Sequence, residues 1–148
     1  MTTDHPKYIS SGCVVRSVPV IPEEFHDLFE KATFAHLTTV LPNGNLHSIP
    51  VWIDYDADED RRLVNSERGR RKTRNAAQNS TASISMTDPD DPYRFLSLAG
   101  EIEAITAEGA REHIDRMARR YLGEEEYPYP IESERVLLRI RPTEVFTR

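Results

Sequence analysis

The chain has 148 residues and a mass of 17.0 kDa, a size that predicts one domain with a single hydrophobic core. Hydrophobic residues make up 38% and charged residues 30% of the sequence, the balance of an ordinary globular protein. No apolar run approaches the roughly 20 residues that span a bilayer. The net charge of −6 disfavours general binding to nucleic acid, which needs a positive contact face.

The first 20 residues show no clear hydrophobic period, and we expect a partly mobile arm ahead of a single domain over residues 21–148. The arm lacks a basic segment followed by an apolar stretch, so we expect no secretory signal. Cys13 is the one cysteine of the chain and cannot form an internal disulfide or a cysteine zinc site. A reduced, cytoplasmic setting without a membrane partner is therefore expected.

The first half of the domain contains a predicted helix and a predicted hairpin. Residues 22–32 repeat apolar side chains at helical spacing behind a proline, which predicts a helix. Residues 34–41 and 46–55 alternate in polarity and flank Pro42-Asn43-Gly44, a turn sequence, so they predict a β-hairpin. A short third strand is predicted over residues 62–65.

The middle of the chain continues with helix, strand and loop signals. Residues 67–78 predict a turn that leads into a short helix, and residues 81–87 predict a strand of small side chains. Residues 88–92 predict a loop, because two prolines and three aspartates disfavour a sheet ladder. Residues 93–105 predict a long strand, with Gly100 at a bulge or at a point of close approach.

The last third of the chain predicts a second clear helix over residues 106–122, with Thr106 as its N-cap and Gly123 just after its C-terminus. Closing strands are predicted at residues 136–140 and 144–146. Six or seven strands joined by short turns pair antiparallel. The pattern therefore indicates a mainly β domain with short helices, and this number of strands is typical of a small barrel.

The densest chemical signal is the segment from Asn65 to Asn75, where a strand ends and a helix begins. Five of the seven residues from Arg68 to Arg74 are basic in a chain that is otherwise acidic. A hydroxyl, the N–H groups of a helix N-terminus, and guanidinium or ammonium groups together form a phosphate site. A solvated charged face is the alternative interpretation.

The second signal is the strand that contains Pro50 and Trp52. A proline removes one donor from a sheet ladder, so it marks an edge or an interruption and leaves neighbouring backbone groups available to a ligand. Trp52 can border a flat ring, although these residues alone favour a core tryptophan beside an edge proline.

The histidines show no metal-ligand spacing, and we assign neither a metal ligand nor a catalytic residue. His26 and His113 lie among charges on predicted helices and are expected to be solvated. His36 alternates with Phe34 and Thr38 along its strand and is expected to be semi-buried. His47, near Pro50, is the one histidine of interest.

Five stretches, which cover about residues 22–146, occur in an order that resembles the FMN-binding split-barrel family related to pyridoxamine 5′-phosphate oxidase. The resemblance is closest to the branch of F420-dependent oxidoreductases. It implies a six-stranded antiparallel split β-barrel and a homodimer with two cofactor sites at its interface. The stretches are FAHLTTVLPNGNLHSIPVWIDY, RLVNSERGRRKTRN, TASISMTDPDDPYRFLSLAGEIEAI, EGAREHIDRMARRYLG and VLLRIRPTEVF.

The resemblance also implies which residues bind the cofactor. The cofactor phosphate would lie against the segment after the third strand, and a flavin-like ring would lie along the second strand of the hairpin. The phosphate segment comprises Asn65, Ser66, Arg70, Arg71, Lys72 and Asn75. The strand along the ring comprises Ser48, Ile49, Pro50, Val51 and Trp52. The loop from Asp88 to Tyr93 aligns with a loop near the interface, which implies a contact from Tyr93 or Arg94 to cofactor or substrate.

Two cofactors are compatible with the resemblance, namely FMN and coenzyme F420. Enzymes close to pyridoxamine 5′-phosphate oxidase have a strand that begins with arginine and ends with lysine, followed by a Ser-Arg-Lys phosphate motif. Here the strand after Arg62 has no such lysine, and the phosphate segment is longer and more basic. F420 carries a phosphate and an acidic polyglutamate tail, which a cluster of five basic residues suits. F420 is therefore the expected cofactor and FMN the alternative.

The function that the resemblance implies is hydride transfer between reduced deazaflavin and a small planar acceptor, with the chemistry carried by the cofactor. The alternatives are an FMN-binding oxidoreductase, a flavin or deazaflavin carrier without turnover, and a haem-binding protein with His36 or His47 as axial ligand. A nucleic-acid-binding β domain is disfavoured by the acidic net charge.

Overall fold

The computed structural model describes the backbone of residues 7–10 and 13–16 and all of residues 20–148. Nine strands, two α-helices and one 3-10 helix follow one another along these residues. The strands are β1 (Lys7–Ser10), β2 (Cys13–Arg16), β3 (Phe34–Val40), β4 (Leu46–Trp52), β5 (Asp54–Asp56), β6 (Arg61–Glu67), β7 (Thr81–Asp88), β8 (Asp91–Thr106) and β9 (Arg135–Thr147). The 3-10 helix is Glu23–Phe29, and the α-helices are α1 (Arg71–Gln78) and α2 (Ala110–Leu122).

Every strand pair in the described residues is antiparallel, and the main sheet has the order β4-β3-β7-β8-β9-β6-β5. β9 pairs with β8 on one side. On its other side β9 pairs with β6 near its start and with β2 near its end. β4 and β6 form no ladder with each other in the described part of the chain, so the curled sheet stays open between them.

This architecture confirms the predicted mainly β split barrel. Six of the strands match the predicted set, and β5 and the β1–β2 hairpin add to it. No element was predicted within residues 1–20, whereas the backbone of β1 and β2 forms a hairpin that joins the sheet through β9. Residues 1–6, 11–12 and 17–19 of the predicted arm lie outside the described residues, and its mobility stays a prediction.

The β3–β4 hairpin forms as predicted, and Gly44 takes the positive φ of 87° that its turn requires. β4 pairs with β3 alone in the described residues, so it is an edge strand and tolerates Pro50. Pro50 lies opposite His36 in the ladder. His36 was expected to be semi-buried, but the alternation of β3 turns its side chain outward and it is exposed.

Two predicted boundaries were wrong because polar residues and proline are accommodated within the sheet. The predicted loop at residues 88–92 is only a two-residue turn, since Asp88 pairs with Asp91 and its carboxylate accepts the N–H of Asp90. The two predicted closing strands are one continuous strand, β9, in which Pro142 lies opposite Gly100 at a register shift.

The helices also differ from prediction at their starts. The predicted N-cap Thr106 is the last residue of β8, and α2 begins only after Gly109, which has a φ of 75°. Gly123 closes α2 in the left-handed conformation, as predicted, with a φ of 71°. The helix predicted over residues 22–32 is the shorter 3-10 helix. No helix within the described residues is long and apolar enough to cross a membrane.

The hydrophobic core fills the inside of the curled sheet and is closed by the 3-10 helix. The predicted apolar face of α2 is buried at Ile114, Met117 and Ala118 against β6 and β9. The fully buried core positions include Leu28, Leu37, Ile53, Val64, Val136, Leu138, Ile140 and Val145. This packing brings the start of α1, the face of α2 and the open edge of β4 together around a single cavity.

We expect Gly100→Ala to lower the free energy of unfolding by about 1–3 kcal/mol. A Cβ atom at Gly100 would lie 2.5 Å from the backbone oxygen of Arg141, which the sheet holds in place. Urea denaturation followed by circular dichroism measures the change. The neighbouring Glu101→Ala is the control, because Glu101 is exposed, and it should change stability by less than about 0.5 kcal/mol. Equal stability of the two variants would show that β8 and β9 are not in such close contact.

Candidate functional site

A cavity of about 260 Å³ opens between the edge of β4, the junction of β6 with α1, the face of α2 and the start of β9. Charged side chains gather at one part of its lining, which we name the cationic end: Glu67, Arg70, Lys72 and Arg135. Aromatic side chains form another part, the aromatic wall: Phe34, Trp52, Tyr127 and Tyr129. Three cations and one carboxylate give the cationic end a formal charge of +2.

The N-terminus of α1 lies at the cationic end. Arg70, the N-cap residue, has an extended backbone and makes no capping hydrogen bond with its side chain. The first three backbone N–H groups of the helix, at residues 71–73, have no acceptor among the described residues. The first turn also contains no acidic residue. A helix N-terminus with these features attracts an anion.

Lys72 projects from this first turn into the cavity and forms no hydrogen bond or ion pair within the described residues. Burial lowers the pKa of the Lys72 ammonium, and the positive charges of Arg70 and Arg135 lower it further. Glu67 opposes this shift of the pKa only in part. A partly buried ammonium beside two guanidinium groups is destabilising where a single carboxylate offsets them only in part, so the charge of this end favours an anion.

Arg135, the first residue of β9, is the third cation, and its side chain is only 7% exposed. Its Nε and Nη2 atoms donate to Oδ1 of Asn65 at 2.9 and 2.7 Å, and Nη1 donates to Glu67 at 3.2 Å. The guanidinium also lies 5.0 Å from the centre of the Tyr127 ring. A guanidinium has five N–H groups, so two remain for a ligand after these three bonds.

Glu67 is a buried carboxylate that serves the protein rather than the ligand. It accepts hydrogen bonds from the backbone N–H groups of Glu132 and Ser133 and from the Ser133 hydroxyl. Burial would raise the pKa of Glu67, but these hydrogen bonds hold it below its ordinary value. The carboxylate therefore stays ionised, fixes the segment before β9 and orients Arg135.

The rings of the aromatic wall pack against one another and against Tyr121. Trp52 stacks on Tyr121 with ring centres 4.9 Å apart and 12° between the planes. The Tyr121 hydroxyl accepts the N–H of Ile53 at 3.0 Å. Tyr127 stands edge-on to Trp52 at 6.2 Å, and Tyr129 stands edge-on to Tyr127 at 5.5 Å. A wall of this kind suits a planar ring.

The structure brings together seven of the eleven predicted cofactor residues and leaves four outside the cavity. The seven that line it are Pro50, Val51, Trp52, Asn65, Ser66, Arg70 and Lys72. The four that do not are Ser48, Ile49, Arg71 and Asn75. A cofactor contact by any of the eleven stays a prediction.

The residues outside the cavity have other roles that the contacts explain. Asn75 is fully buried, donates to the Thr39 hydroxyl at 3.1 Å and accepts from Arg71 at 2.9 Å, so it fastens α1 to β3. Ile49 packs against the core. Ser48 is exposed farther along β4.

The basic cluster of the sequence is divided in the structure. Arg68 forms an ion pair with Glu134, and Arg74 is exposed on the outer face of α1. Arg71 donates to its own helix neighbour Asn75. Only Arg70 and Lys72 of the five basic residues therefore reach the cavity, and the others form a solvated face or local contacts.

Several lining residues were not found from the sequence. Tyr127 and Tyr129 were treated as part of a polar loop, although two tyrosines alternating with prolines are an unusual signal there. Glu67 lies inside the predicted phosphate segment but was not assigned to the site, and Phe34, Ile114 and Arg135 gave no local signal for a site.

Other sequence candidates lie elsewhere. Arg94 bonds to Asp27 and Asp88, which ties the β7–β8 turn to the 3-10 helix. Neither Arg94 nor the exposed Tyr93 lines the cavity. His113, expected to be solvated, is only 4% exposed and lies behind the cationic end.

Comparison with known proteins decides the family. Residues 21–148 match the model of the family described as pyridoxamine 5′-phosphate oxidase. The chain belongs to the pyridoxamine 5′-phosphate oxidase family. No curated protein sequence matches the chain. The family assignment therefore rests on the family model and on solved structures.

Solved structures similar to this chain share its fold. An F420 reductase is 30% identical in sequence, with a TM-score of 0.74 over 84% of this chain and 98% of that protein. A conserved hypothetical protein from Mycobacterium tuberculosis is 23% identical, with a TM-score of 0.64 over 88% of this chain and 86% of that one. General Stress Protein 26 from Bacillus anthracis is 17% identical, with a TM-score of 0.61 over 84% and 92% of the two chains.

We expect Lys72→Met to raise the free energy of unfolding by about 1 kcal/mol near neutral pH while it weakens anion binding. The pKa of Lys72 is lowered in the folded state, so the charged form destabilises the fold below that pKa. The advantage of methionine should shrink as the pH rises toward the ordinary lysine value of about 10.4. Urea denaturation at neutral and alkaline pH measures both effects.

Lys31→Met is the matched control, because Lys31 pairs with Asp88 and Asp90 and its pKa is raised by these hydrogen bonds. That variant should lose stability instead of gaining it. A loss of stability in both variants would mean that Lys72 has a partner within the fold.

Proposed function

We propose that the chain is a cytoplasmic oxidoreductase that binds F420 and transfers a hydride between reduced deazaflavin and a small planar acceptor. The family supports an oxidoreductase of the flavin or deazaflavin type. The F420 reductase that is 30% identical supports the deazaflavin. The observation that carries the proposal is the partly buried Lys72 ammonium, which has no hydrogen-bond or ion-pair partner among the described residues and faces a cavity with an aromatic wall.

The residues present fit such a cofactor. The N–H groups at the start of α1, together with Arg70, Lys72 and Arg135, would hold its phosphate. Trp52 and the backbone of β4 beside Pro50 would border its ring. F420 supplies hydride transfer when it is bound. The chain binds and orients the ring and excludes water with the aromatic wall.

FMN remains the second candidate, because it also carries a phosphate and a planar ring. The sequence argument for F420 used all five basic residues of the cluster, but only Arg70 and Lys72 reach the cavity. The charge of the cavity therefore favours a phosphate without separating the two cofactors. The choice of F420 rests on the similarity to the F420 reductase.

The haem alternative lacks support at this cavity. Neither His36 nor His47 is among the described residues that line it. His36 is exposed on β3, and the Nδ1 atom of His47 is buried without a hydrogen-bond partner among the described residues. A carrier without turnover would use the same contacts, so only a turnover assay with reduced cofactor separates it from the enzyme.

We expect the protein to bind F420 tightly and FMN weakly when each is titrated and the fluorescence of Trp52 is followed. Trp52 is the only tryptophan of the chain and lies in the aromatic wall, so its emission reports occupancy directly. Preference for FMN would favour the second candidate. Binding of neither cofactor would contradict the proposal.

Lys72→Ala and Arg70→Ala should each weaken binding of the preferred cofactor about 10- to 100-fold, because each removes a charged contact to the phosphate. Arg74→Ala is the matched control, since it removes the same charge as Arg70→Ala from an exposed position on the same helix. It should change the affinity less than about twofold. Equal effects of Arg70→Ala and Arg74→Ala would indicate attraction by general charge rather than a defined site.

We also propose that the protein is a homodimer with two cofactor sites at its interface. Phe34 and Tyr129 of the aromatic wall are 56% and 55% exposed, and they lie beside the edge strand β4. A second copy packed on this edge would cover both rings and complete the cavity. Sedimentation equilibrium should give twice the chain mass of 17.0 kDa, and a monomer mass would contradict the dimer.

A further inference from the structure

We propose that His113 is a positioning residue of the cavity. Through Asn65 it fixes the guanidinium of Arg135 at the cationic end, and it does so as the neutral tautomer that carries its hydrogen on Nε2. The inference rests on the proposed function in one respect, namely that the ligand held by Arg135 is the cofactor.

The orientation of the Asn65 amide is set by Arg135. Two N–H groups of Arg135 point at Oδ1 of Asn65, at 2.9 and 2.7 Å, so this atom must be the amide oxygen. The amide nitrogen then faces α2. It donates to the backbone oxygen of Ala110 at 2.7 Å and lies 3.1 Å from Nδ1 of His113.

The tautomer of His113 follows from this orientation. The amide nitrogen of Asn65 can only donate, so Nδ1 of His113 must accept and the ring hydrogen belongs on Nε2. Nε2 lies 2.9 Å from Oδ2 of Asp54, which accepts that hydrogen. A hydrogen on Nδ1 would instead place two donors, Nδ1 of His113 and the amide nitrogen of Asn65, opposite each other. The hydrogen bond that orients Asn65 would then be lost.

Asp54 completes the network at its far end. Its buried carboxylate also accepts hydrogen bonds from Arg116 at 3.1 Å and from Arg120 at 3.2 Å. Burial would raise the pKa of Asp54, but the hydrogen bond from His113 and the charge of Arg120 hold it below its usual range. Two guanidinium groups therefore offset the charge of the carboxylate that receives the Nε2 hydrogen of His113.

The network therefore joins β5, α2 and β6 to β9 by hydrogen bonds and ends at the cavity. Only its last members, Asn65 and Arg135, line the cavity, whereas His113 is 4% exposed and does not. The charge of Arg135 can bind an anion without His113. The orientation of the Arg135 guanidinium depends on Asn65, and His113 holds the amide of Asn65 through its nitrogen. A role for His113 in anchoring α2 alone is the alternative that the experiments must exclude.

The first experiment reads the tautomer in the ligand-free protein near neutral pH. We expect the ring nitrogens of His113, observed by nitrogen-15 NMR, to show a protonated Nε2 and an unprotonated Nδ1. The signals are assigned by their loss in His113→Gln. A ring with its hydrogen on Nδ1, or one protonated on both nitrogens, would overturn the inference.

The second experiment is a double-mutant cycle on the affinity for whichever of F420 and FMN the wild type prefers. His113→Leu should weaken binding about tenfold, and Arg135→Leu should weaken it at least as much. The double variant should bind no more weakly than Arg135→Leu alone, because His113 acts through Arg135. Additive effects would show that His113 merely supports the fold.

His113→Gln is the conservative variant of the cycle. Its amide oxygen can accept from Asn65 and its amide nitrogen can donate to Asp54, so it should recover most of the affinity that His113→Leu loses. Circular dichroism and thermal melting check that each variant is folded. Equal losses for the glutamine and leucine variants would overturn the positioning role.

Failure of this inference is distinguishable from failure of the proposed function. A wild-type protein that binds neither F420 nor FMN would contradict the proposed function, and the NMR experiment would still decide the tautomer of His113. A wild type that binds a cofactor but gives an additive cycle would contradict the role of His113 alone.

Discussion

The open edge between β4 and β6 is the constraint on which the cavity depends. If β4 and β6 paired, the curled sheet would close and bury the space that the cavity occupies. The two strands form no ladder in the described residues. Pro50 lacks the N–H that a second partner strand would need, so it favours this open edge. The space is bordered instead by the start of α1 and the face of α2. The chain thereby keeps a concave surface next to a well-packed core.

Placing three cations around this space opposes folding, and the protein limits the destabilisation in two ways. Glu67 is ionised by its hydrogen bonds to the segment before β9 and neutralises part of the charge. Asn65 accepts two hydrogen bonds from Arg135. Its neutral amide thereby stabilises the guanidinium without adding a charge to the site. Lys72 forms no hydrogen bond or ion pair with the described residues, and the charge of Glu67 offsets the lowering of its pKa only in part. The destabilisation that remains at Lys72 is what an anionic ligand would relieve, so stability and binding oppose each other at this residue.

Much of the fold could be predicted because its signals are local. Alternation of polarity located the strands, the Pro42-Asn43-Gly44 turn located the hairpin, and Gly100 marked the close approach of β8 to β9. The errors came where long-range pairing overrode local preference. Asp88 and Asp91 pair across a tight turn, and Pro142 is carried within a long strand. In both places the neighbouring strands supply ladder contacts that local propensity does not contain.

The sequence predicted only part of the site, because tertiary contacts decide which charged side chains face the cavity. Arg68 is withdrawn from the cavity by Glu134, which lies 66 positions away, and Arg135 is brought to it by Asn65, which lies 70 positions away. Counting basic residues in one segment therefore overestimates how much positive charge that segment contributes to the cavity. It also misses the charge that Arg135 contributes from a distant part of the sequence. His113 shows the same principle, since its helical neighbours are charged while its own ring is buried against Asp54. Which cations face the cavity is decided by the ion pairs and hydrogen bonds that form on folding, and that property exists only in the folded chain.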